Sequence, residues 1–152
     1  MPANAAQEVI NQLVDAANKG DVKTFLAGMA DDVSIIDEFA PYEWHGPGSG
    51  AKWLTDFDAD NKARGITATV ISFGKPRHVD IAGNLAYVVL PAGYTYTQNG
   101  KAKKQSGSTW TITLQKGKDG WRVTGFADLG HITANADAGF AERLHQRRRE
   151  VQ

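Results

Sequence analysis

The chain contains 152 residues, of which 17 are basic and 17 acidic, and it contains no cysteine. This length fits one domain with a real core, and the charge balance argues against a dedicated nucleic-acid-binding protein, which normally carries a net basic field. The lack of cysteine excludes a disulfide scaffold, a thiolate metal site and a cysteine nucleophile.

The first 65 residues predict two linked helices, a short strand and a third helix. Apolar residues that recur every three or four positions indicate the first helix, and Gly20 ends it. Asp21 is a suitable N-cap for the second helix. The predicted elements are helices over 4–19 and 21–29, a strand over 33–37, a Pro/Gly-rich loop over 41–50 and a helix from Ser49 to Gly65.

From residue 66 the sequence becomes rich in β-branched residues, which is typical of strands. Asn99-Gly100 and Asp119-Gly120 are strong hairpin dipeptides. The predicted strands cover 66–73, 77–81, 85–97, 104–116 and 121–128. A carboxy-terminal helix follows, with apolar residues repeating every four positions. Helices segregated from an antiparallel sheet predict an α+β fold.

The amino-terminal residues lack the basic and apolar regions of a secretory signal, and no apolar run approaches the ~18 residues that a membrane span needs. We therefore expect a cytoplasmic protein with no membrane partner. No histidine or acid pair has metal-ligand spacing, and the glycine-rich loop over 46–50 lacks the Lys-Ser/Thr of a phosphate loop. We expect neither a metal nor a cofactor.

Four local motifs carry a family resemblance. They are the Gly20-Asp21 break, the short strand ending in Asp37, His45-Gly46 before the third helix, and the late strands joined by Asp119-Gly120. In this order they resemble the nuclear transport factor 2-like superfamily, which includes SnoaL-like polyketide cyclases and ketosteroid isomerases. The resemblance spans residues 4–129. It implies a domain over 1–130 with a helical extension over 131–152.

The resemblance also implies a shape and a partner. A cone-shaped, strongly bent sheet would wrap around the amino-terminal helices and leave a pocket between helices and sheet. Members of the superfamily often form homodimers through the outer face of the sheet. The threonine-rich face of the strand around Trp110 suits such a contact, or simply water.

Asp37 is the first catalytic candidate. Side chains alternate along a strand, so Asp37 faces the core if Val33 and Ile35 do. Burial would then raise its pKa toward the range of a general base. In the alternative, Ser34 and Ile36 are buried and Asp37 lies in water. Ketosteroid isomerases have an aspartate base at this place, so the resemblance implies a proton-transfer role.

Three further residues are candidates for acid–base chemistry: His45, Asp128 and His131. The dehydratase branch of the superfamily uses a histidine–aspartate pair, and either Asp37 with His45 or Asp128 with His131 would supply one. The epoxide-hydrolase branch uses an Asp–Arg–Asp cluster. Strict alternation places Arg122 and Asp128 on the same face of the last strand, but no second inward acid is evident beside them.

The aromatic residues predict the ligand-binding wall, since ligand pockets are mostly apolar with a few polar anchors. The candidates are Trp44, Trp53, Phe57, Tyr94, Trp110 and Phe126. Tyr94 and Tyr96 could also donate to a developing oxyanion, although the first helix lacks the tyrosine that isomerases place there. The alternative is that these residues fill the core solidly.

Two functions from different classes remain open at this point. The first is an isomerase, cyclase or dehydratase that transfers protons on a small hydrophobic substrate, with Asp37 as base. The second is a non-catalytic ligand-binding or dimerisation module of the same fold. Fold alone does not choose between them. An Asp37 that lies in the cavity, within reach of a second polar group, favours the enzyme.

Overall fold

The computed structural model describes residues 2–129, which form three helices and a seven-stranded sheet. The predicted boundary at residue 130 and the predicted carboxy-terminal helix lie outside the described residues. The elements are α1 (Pro2–Lys19), α2 (Val22–Ala27), β1 (Met29–Ile36), β2 (Glu43–Trp44), α3 (Ser49–Ala63), β3 (Ile66–Phe73), β4 (His78–Ala82), β5 (Leu85–Gln98), β6 (Lys101–Gly117) and β7 (Gly120–Leu129).

The sheet has the order β2-β1-β7-β6-β5-β3, and β4 also pairs with β5. All neighbours are antiparallel except β1 and β7, which are parallel. The first half of β5 pairs with β4 and the second half with β3, so this edge is split between two short strands. The predicted α+β architecture, a curved sheet with amino-terminal helices, is confirmed.

Local irregularities in the strand pairing explain the curvature of the sheet. Register shifts occur within β3, between Ala92 and Tyr94 of β5, and between Thr113 and Leu114 of β6. In the last case Thr113 pairs with Gly125 and Leu114 with Val123, so Thr124 is an extra residue in β7. Bulges of this kind bend a strand and increase its twist. The bent sheet presents a concave face to α1 and α3.

The core lies between that concave face and the helices. Alternate residues of β5 and β6 are buried, as the period of two predicts: Ala86, Val88, Leu90, Ala92 and Tyr94 on β5, and Ser108, Trp110, Ile112 and Leu114 on β6. α1 contributes Ala6, Ile10 and Leu13. No helix within residues 2–129 has the length and apolar character needed to cross a membrane.

Several element boundaries differ from prediction. Asp21 caps α2 as expected, accepting the Thr24 N–H at 3.2 Å, but α2 ends at Ala27 and β1 already begins at Met29. The predicted loop over 41–50 contains the short strand β2, which pairs with the end of β1. Gly48, in the left-handed region with φ of 75°, precedes α3 without a side-chain cap.

Ser49 fastens the start of α3 to β1 instead of capping the helix. Its buried hydroxyl donates to the Val33 carbonyl at 2.5 Å. We expect Ser49→Ala to lower the free energy of unfolding by about 1–3 kcal/mol, because a buried carbonyl loses its donor. Urea unfolding measures this. Thr55→Ala, which removes a comparable hydroxyl bond to the Ala51 carbonyl on the exposed side of α3, should change stability by less than about 0.5 kcal/mol; equal losses would contradict the assignment.

Candidate active site

A cavity of about 480 Å³ lies between α3 and the concave face of the sheet. Its wall is contributed by the segment that follows β1, by α3 and by β3, β5, β6 and β7. Polar and apolar side chains line it alike, so the cavity is less apolar than the sequence suggested. Two carboxyl groups, Asp37 and Asp128, lie in its wall beside the aromatic rings of Trp53, Tyr94 and Trp110.

Asp37 follows directly after β1 and lies in the cavity wall. Val33 and Ile35 are completely buried, whereas Ser34 and Ile36 are exposed, so the predicted facing of this strand is confirmed. The two oxygens of Asp37 accept different donors: the Glu38 backbone N–H at 2.7 Å and the Trp53 indole N–H at 3.0 Å. Two N–H donors on one carboxyl group stabilise its ionised form.

Asp128 lies in the same cavity wall, near the end of β7, and is 7% exposed. The extra residue Thr124 places it there. Before the bulge Trp121 and Val123 are buried, and after it Phe126 and Asp128 are buried, so the parity of the strand changes. The expectation that Arg122 and Asp128 share a face is therefore wrong: Arg122 is exposed and pairs with Asp119 at 3.5 Å.

Tyr94 and Trp110 connect to Asp128 through a chain of hydrogen bonds. The Tyr94 hydroxyl donates to Asp128 Oδ2 at 2.8 Å, and the Trp110 indole N–H donates to the Tyr94 oxygen at 2.5 Å. The other oxygen of Asp128, Oδ1, is buried and accepts no hydrogen bond from residues 2–129. Tyr94 thus donates its hydrogen bond to a carboxyl group, whereas the sequence predicted a donor to a substrate oxyanion.

The two acids of the cavity lie in opposite environments. Burial raises the pKa of Asp128 from 3.8 to about 7, and the negative charges of Asp37 and Glu38 add to the rise, while the hydrogen bond from Tyr94 works against it. Burial and the neighbouring Asp128 charge also raise the pKa of Tyr94, so its hydroxyl stays protonated near neutral pH. Asp128 is therefore available as a neutral acid near pH 7, whereas Asp37 is held by two donors.

The far end of the cavity is polar, and sequence reasoning did not identify its residues. Asn61 and Arg64 of α3 and Gln98 of β5 lie there, with Arg64 paired to Asp60 at 3.0 Å and the Gln98 amide donating to the Arg64 carbonyl at 3.2 Å. Gln105 of β6 also lines the cavity, opposite Tyr94 in register. Arg64 is eleven residues after Trp53, which corresponds to about 16 Å along a helix axis. The sequence did contain a signal for Asn61 and Arg64. They follow Phe57 at helical spacing and so lie on the same face of α3 as the predicted aromatic residues.

The structure brings some predicted residues together and separates others. Trp53, Phe57, Tyr94 and Trp110 line the cavity. Phe126 lies behind them, stacked on Trp110 with ring centres 4.8 Å apart. Trp44 is buried away from the cavity, and its indole donates to Asp56 at 2.9 Å. Glu38, which the sequence analysis did not single out, also contributes to the cavity wall.

The predicted pairing of Asp37 with His45 is wrong. His45 is exposed and outside the cavity wall, because it follows Trp44 in β2 and alternation turns it to the opposite face. Its Nδ1 lies 3.5 Å from the Ser34 hydroxyl, and its Nε2 lies 4.0 Å from Glu43. The other predicted partner, His131 beside Asp128, lies outside the described residues.

Comparison with known proteins gives the family. A family model described as a SnoaL-like domain matches residues 6–125. No functionally curated protein matches the sequence.

Solved structures share the fold at low identity. A nuclear transport factor 2-like protein with a cystatin-like fold from Novosphingobium aromaticivorans has a TM-score of 0.68 and 18% identity, covering 90% of this chain and 87% of that one. The CaMKII hub of S. rosetta has a TM-score of 0.68 and 21% identity, covering 86% and 97%. A candidate ketosteroid isomerase from Shewanella frigidimarina has a TM-score of 0.63 and 21% identity, covering 82% and 94%. Since the domain model spans most of the described residues, the chain belongs to the SnoaL-like family of the nuclear transport factor 2-like superfamily.

Proposed function

We propose that this protein is an enzyme that catalyses proton transfer on a small organic molecule bound between α3 and the sheet. One observation carries the proposal: two carboxyl groups in one cavity wall have environments that favour opposite protonation states. Asp37 accepts two N–H donors, and Asp128 is buried with a pKa raised to about 7. Such a pair supplies a base and an acid at the same pH.

The division of labour follows from these environments. Asp37, as the ionised group, removes a proton from a carbon next to a carbonyl group; the C–H electron pair forms a C=C bond and the C=O π pair moves to oxygen. Asp128, as the neutral acid, donates to that oxygen. In a substrate with an adjacent C=C bond, Asp37 returns its proton to the far carbon of that bond while the oxygen returns its proton to Asp128 and the C=O bond re-forms, which completes an isomerisation. In a substrate with a β-hydroxyl group, that group leaves with the proton of Asp37 as water while Asp128 takes its proton back, which completes a dehydration.

The cavity wall supports a substrate with two different ends. Trp53, Phe57 and Trp110 offer flat apolar surfaces beside the acids. Asn61 and Gln98 offer amide groups at the far end, and Gln105 offers another on the strand next to Tyr94. We therefore propose a substrate with a planar, apolar part that carries the reacting carbonyl group and a polar substituent that extends toward the carboxy-terminal end of α3. The candidate ketosteroid isomerase among the similar structures is consistent with this class.

Hydrogen exchange at carbon tests the proposal directly. The protein is incubated in D₂O with 2-tetralone and phenylacetone, and loss of the proton signals next to the carbonyl is followed by ¹H NMR. We expect saturable exchange above the buffer rate with at least one ketone. Quenching of tryptophan fluorescence by a ketone that does not exchange would support the alternative, a binding module without chemistry.

We further propose a homodimer through the outer face of the sheet. Ile36, Ala127, Thr111 and Val89 are register neighbours across four strands and form a row of apolar and hydroxyl groups there. Ile36 and Tyr87 on this face are 46% and 43% exposed. We expect Val89→Lys to shift the mass measured by light scattering from dimer to monomer, since a charge would be desolvated at the contact. Gln12→Lys on α1 should leave the dimer intact; a wild-type monomer would contradict the proposal.

A further inference from the structure

Three buried side chains form one chain of hydrogen bonds next to the cavity. Trp110, Tyr94 and Asp128 are 5%, 9% and 7% exposed, so water competes little for their polar atoms. The two bonds that join them measure 2.5 and 2.8 Å. The residues come from three adjacent strands, β6, β5 and β7, and the sheet therefore fixes their spacing. A buried chain of this kind acts as a unit more than as separate bonds.

The direction of the chain is fixed by its first member. An indole N–H donates and does not accept, so the Tyr94 oxygen must be the acceptor of the bond from Trp110. The single hydroxyl proton of Tyr94 then points to Asp128 Oδ2. Oδ2 is thus the accepting oxygen of Asp128 in this arrangement, and an acid proton on this carboxyl group resides on Oδ1.

We propose that Trp110 and Tyr94 are positioning residues for the proposed reaction, a directional relay that makes Oδ1 of Asp128 the oxygen through which a proton passes to and from the substrate. The inference rests on the proposed function. Oδ1 is buried and accepts no hydrogen bond from the described residues, as expected of the oxygen that carries the acid proton. Asp37 and Glu38 act on Asp128 by charge, whereas the relay acts on it by contact.

The relay predicts coupled effects on Asp128. The Tyr94 bond lowers the pKa of Asp128, and the Trp110 bond lowers the pKa of Tyr94 and so makes it a stronger donor. Removal of either donor should shift the titration of Asp128 to higher pH. Removal of Trp110's donor should have an effect only while the Tyr94 hydroxyl is present, because it acts through that group.

A double-mutant cycle tests the relay without a substrate. The side-chain ¹³C carboxyl resonance of Asp128, assigned by its loss in Asp128→Asn, is titrated in the wild type, Tyr94→Phe, Trp110→Phe and the double variant. We expect an upward shift in both single variants and no additional shift in the double variant beyond Tyr94→Phe. Trp44→Phe, which removes a buried indole bonded to Asp56, is the matched control and should not move Asp128.

Two outcomes would overturn the relay: a Trp110→Phe shift that is equal with and without the Tyr94 hydroxyl, or no Trp110→Phe shift at all. If Trp110→Phe fails to fold, the indole ¹⁵N–¹H resonance of Trp110 in Tyr94→Phe gives the answer, since it should move toward the position of an unbonded indole. Because these titrations need no turnover, a protein without exchange activity but with a coupled titration would refute only the proposed function.

Discussion

Asp128→Asn is expected to raise the free energy of unfolding at pH 8 by roughly 4 kcal/mol, and to leave it nearly unchanged at pH 4. The reason is the distance between the two pKa values of this carboxyl group, 3.8 for an unperturbed aspartate and about 7 in the folded protein. Asparagine keeps the shape and an acceptor for Tyr94 but carries no charge to be buried. Asp128 is 7% exposed, so solvent screens little of the effect.

The sign of the pH dependence follows from proton counting. Between pH 3.8 and about 7 the folded protein holds a proton on Asp128 that the unfolded chain has lost. Stability of the wild type relative to Asp128→Asn therefore falls as the pH rises through this window, and the difference is constant above it. The charges that face Asp128 are those of Asp37 and Glu38, and both add to the cost of ionisation.

Urea unfolding of both proteins at pH 4, 5, 6, 7 and 8 measures this difference. Asp58→Asn, on the exposed side of α3, is the control for removing one negative charge and should run parallel to the wild type. If the curves of the wild type and Asp128→Asn are also parallel, Asp128 titrates normally and the proposed acid is lost. The expected result would mean that the protein accepts a large loss of stability to keep an acid in this place.

Asp37→Asn is expected to lower the rate of ketone hydrogen exchange by about 100- to 10,000-fold, the range that a positioned general base contributes. The amide cannot take up a proton near neutral pH, although it retains the acceptor for Trp53. The substitution should lower the maximal exchange rate and leave the ketone concentration at half-maximal rate unchanged. The variant lacks the base, but it keeps the aromatic wall that binds the ketone. Initial exchange rates at several ketone concentrations separate the two parameters.

Asp56→Asn provides a closely matched control. Asp56 accepts the Trp44 indole N–H at 2.9 Å, as Asp37 accepts that of Trp53 at 3.0 Å, but it lies outside the cavity wall. Both variants lose one charge from an indole-bonded carboxylate. Equal exchange rates for Asp37→Asn and the wild type would exclude Asp37 as the base, and equal losses in both variants would point to a general effect of charge or folding.

Much of the fold could be predicted from local patterns. Period-two burial in β5 and β6, the hairpin dipeptides and the Asp21 cap each depend on neighbouring residues, and the structure agrees with them. The order of these elements was enough for the family resemblance. β2 escaped prediction because a two-residue strand has no period of its own and exists only through its pairing with β1.

The candidate site was predictable only in part. The facing of Asp37 follows from alternation along one strand. The inward position of Asp128 depends on the bulge at Thr124, and a bulge becomes visible only in the pairing of β6 with β7. The partner of Tyr94 depends on the contact of residues 34 positions apart. Sequence patterns indicate which face of a strand or helix a residue lies on. They do not indicate which side chains from different strands contact each other on that face.

The extra residue in β7 has a consequence for how such proteins change over time. Loss of Thr124 would restore simple alternation from Trp121 onward and keep Phe126 and Asp128 on the cavity face, whereas loss of Ala127, which lies behind the bulge, would move Asp128 to the opposite face. A descendant that has lost Ala127 would present Asp128 to the outside of the sheet. One codon thus separates a chain of this family that holds an acid in its cavity from one that does not, and close sequence relatives with and without activity are to be expected.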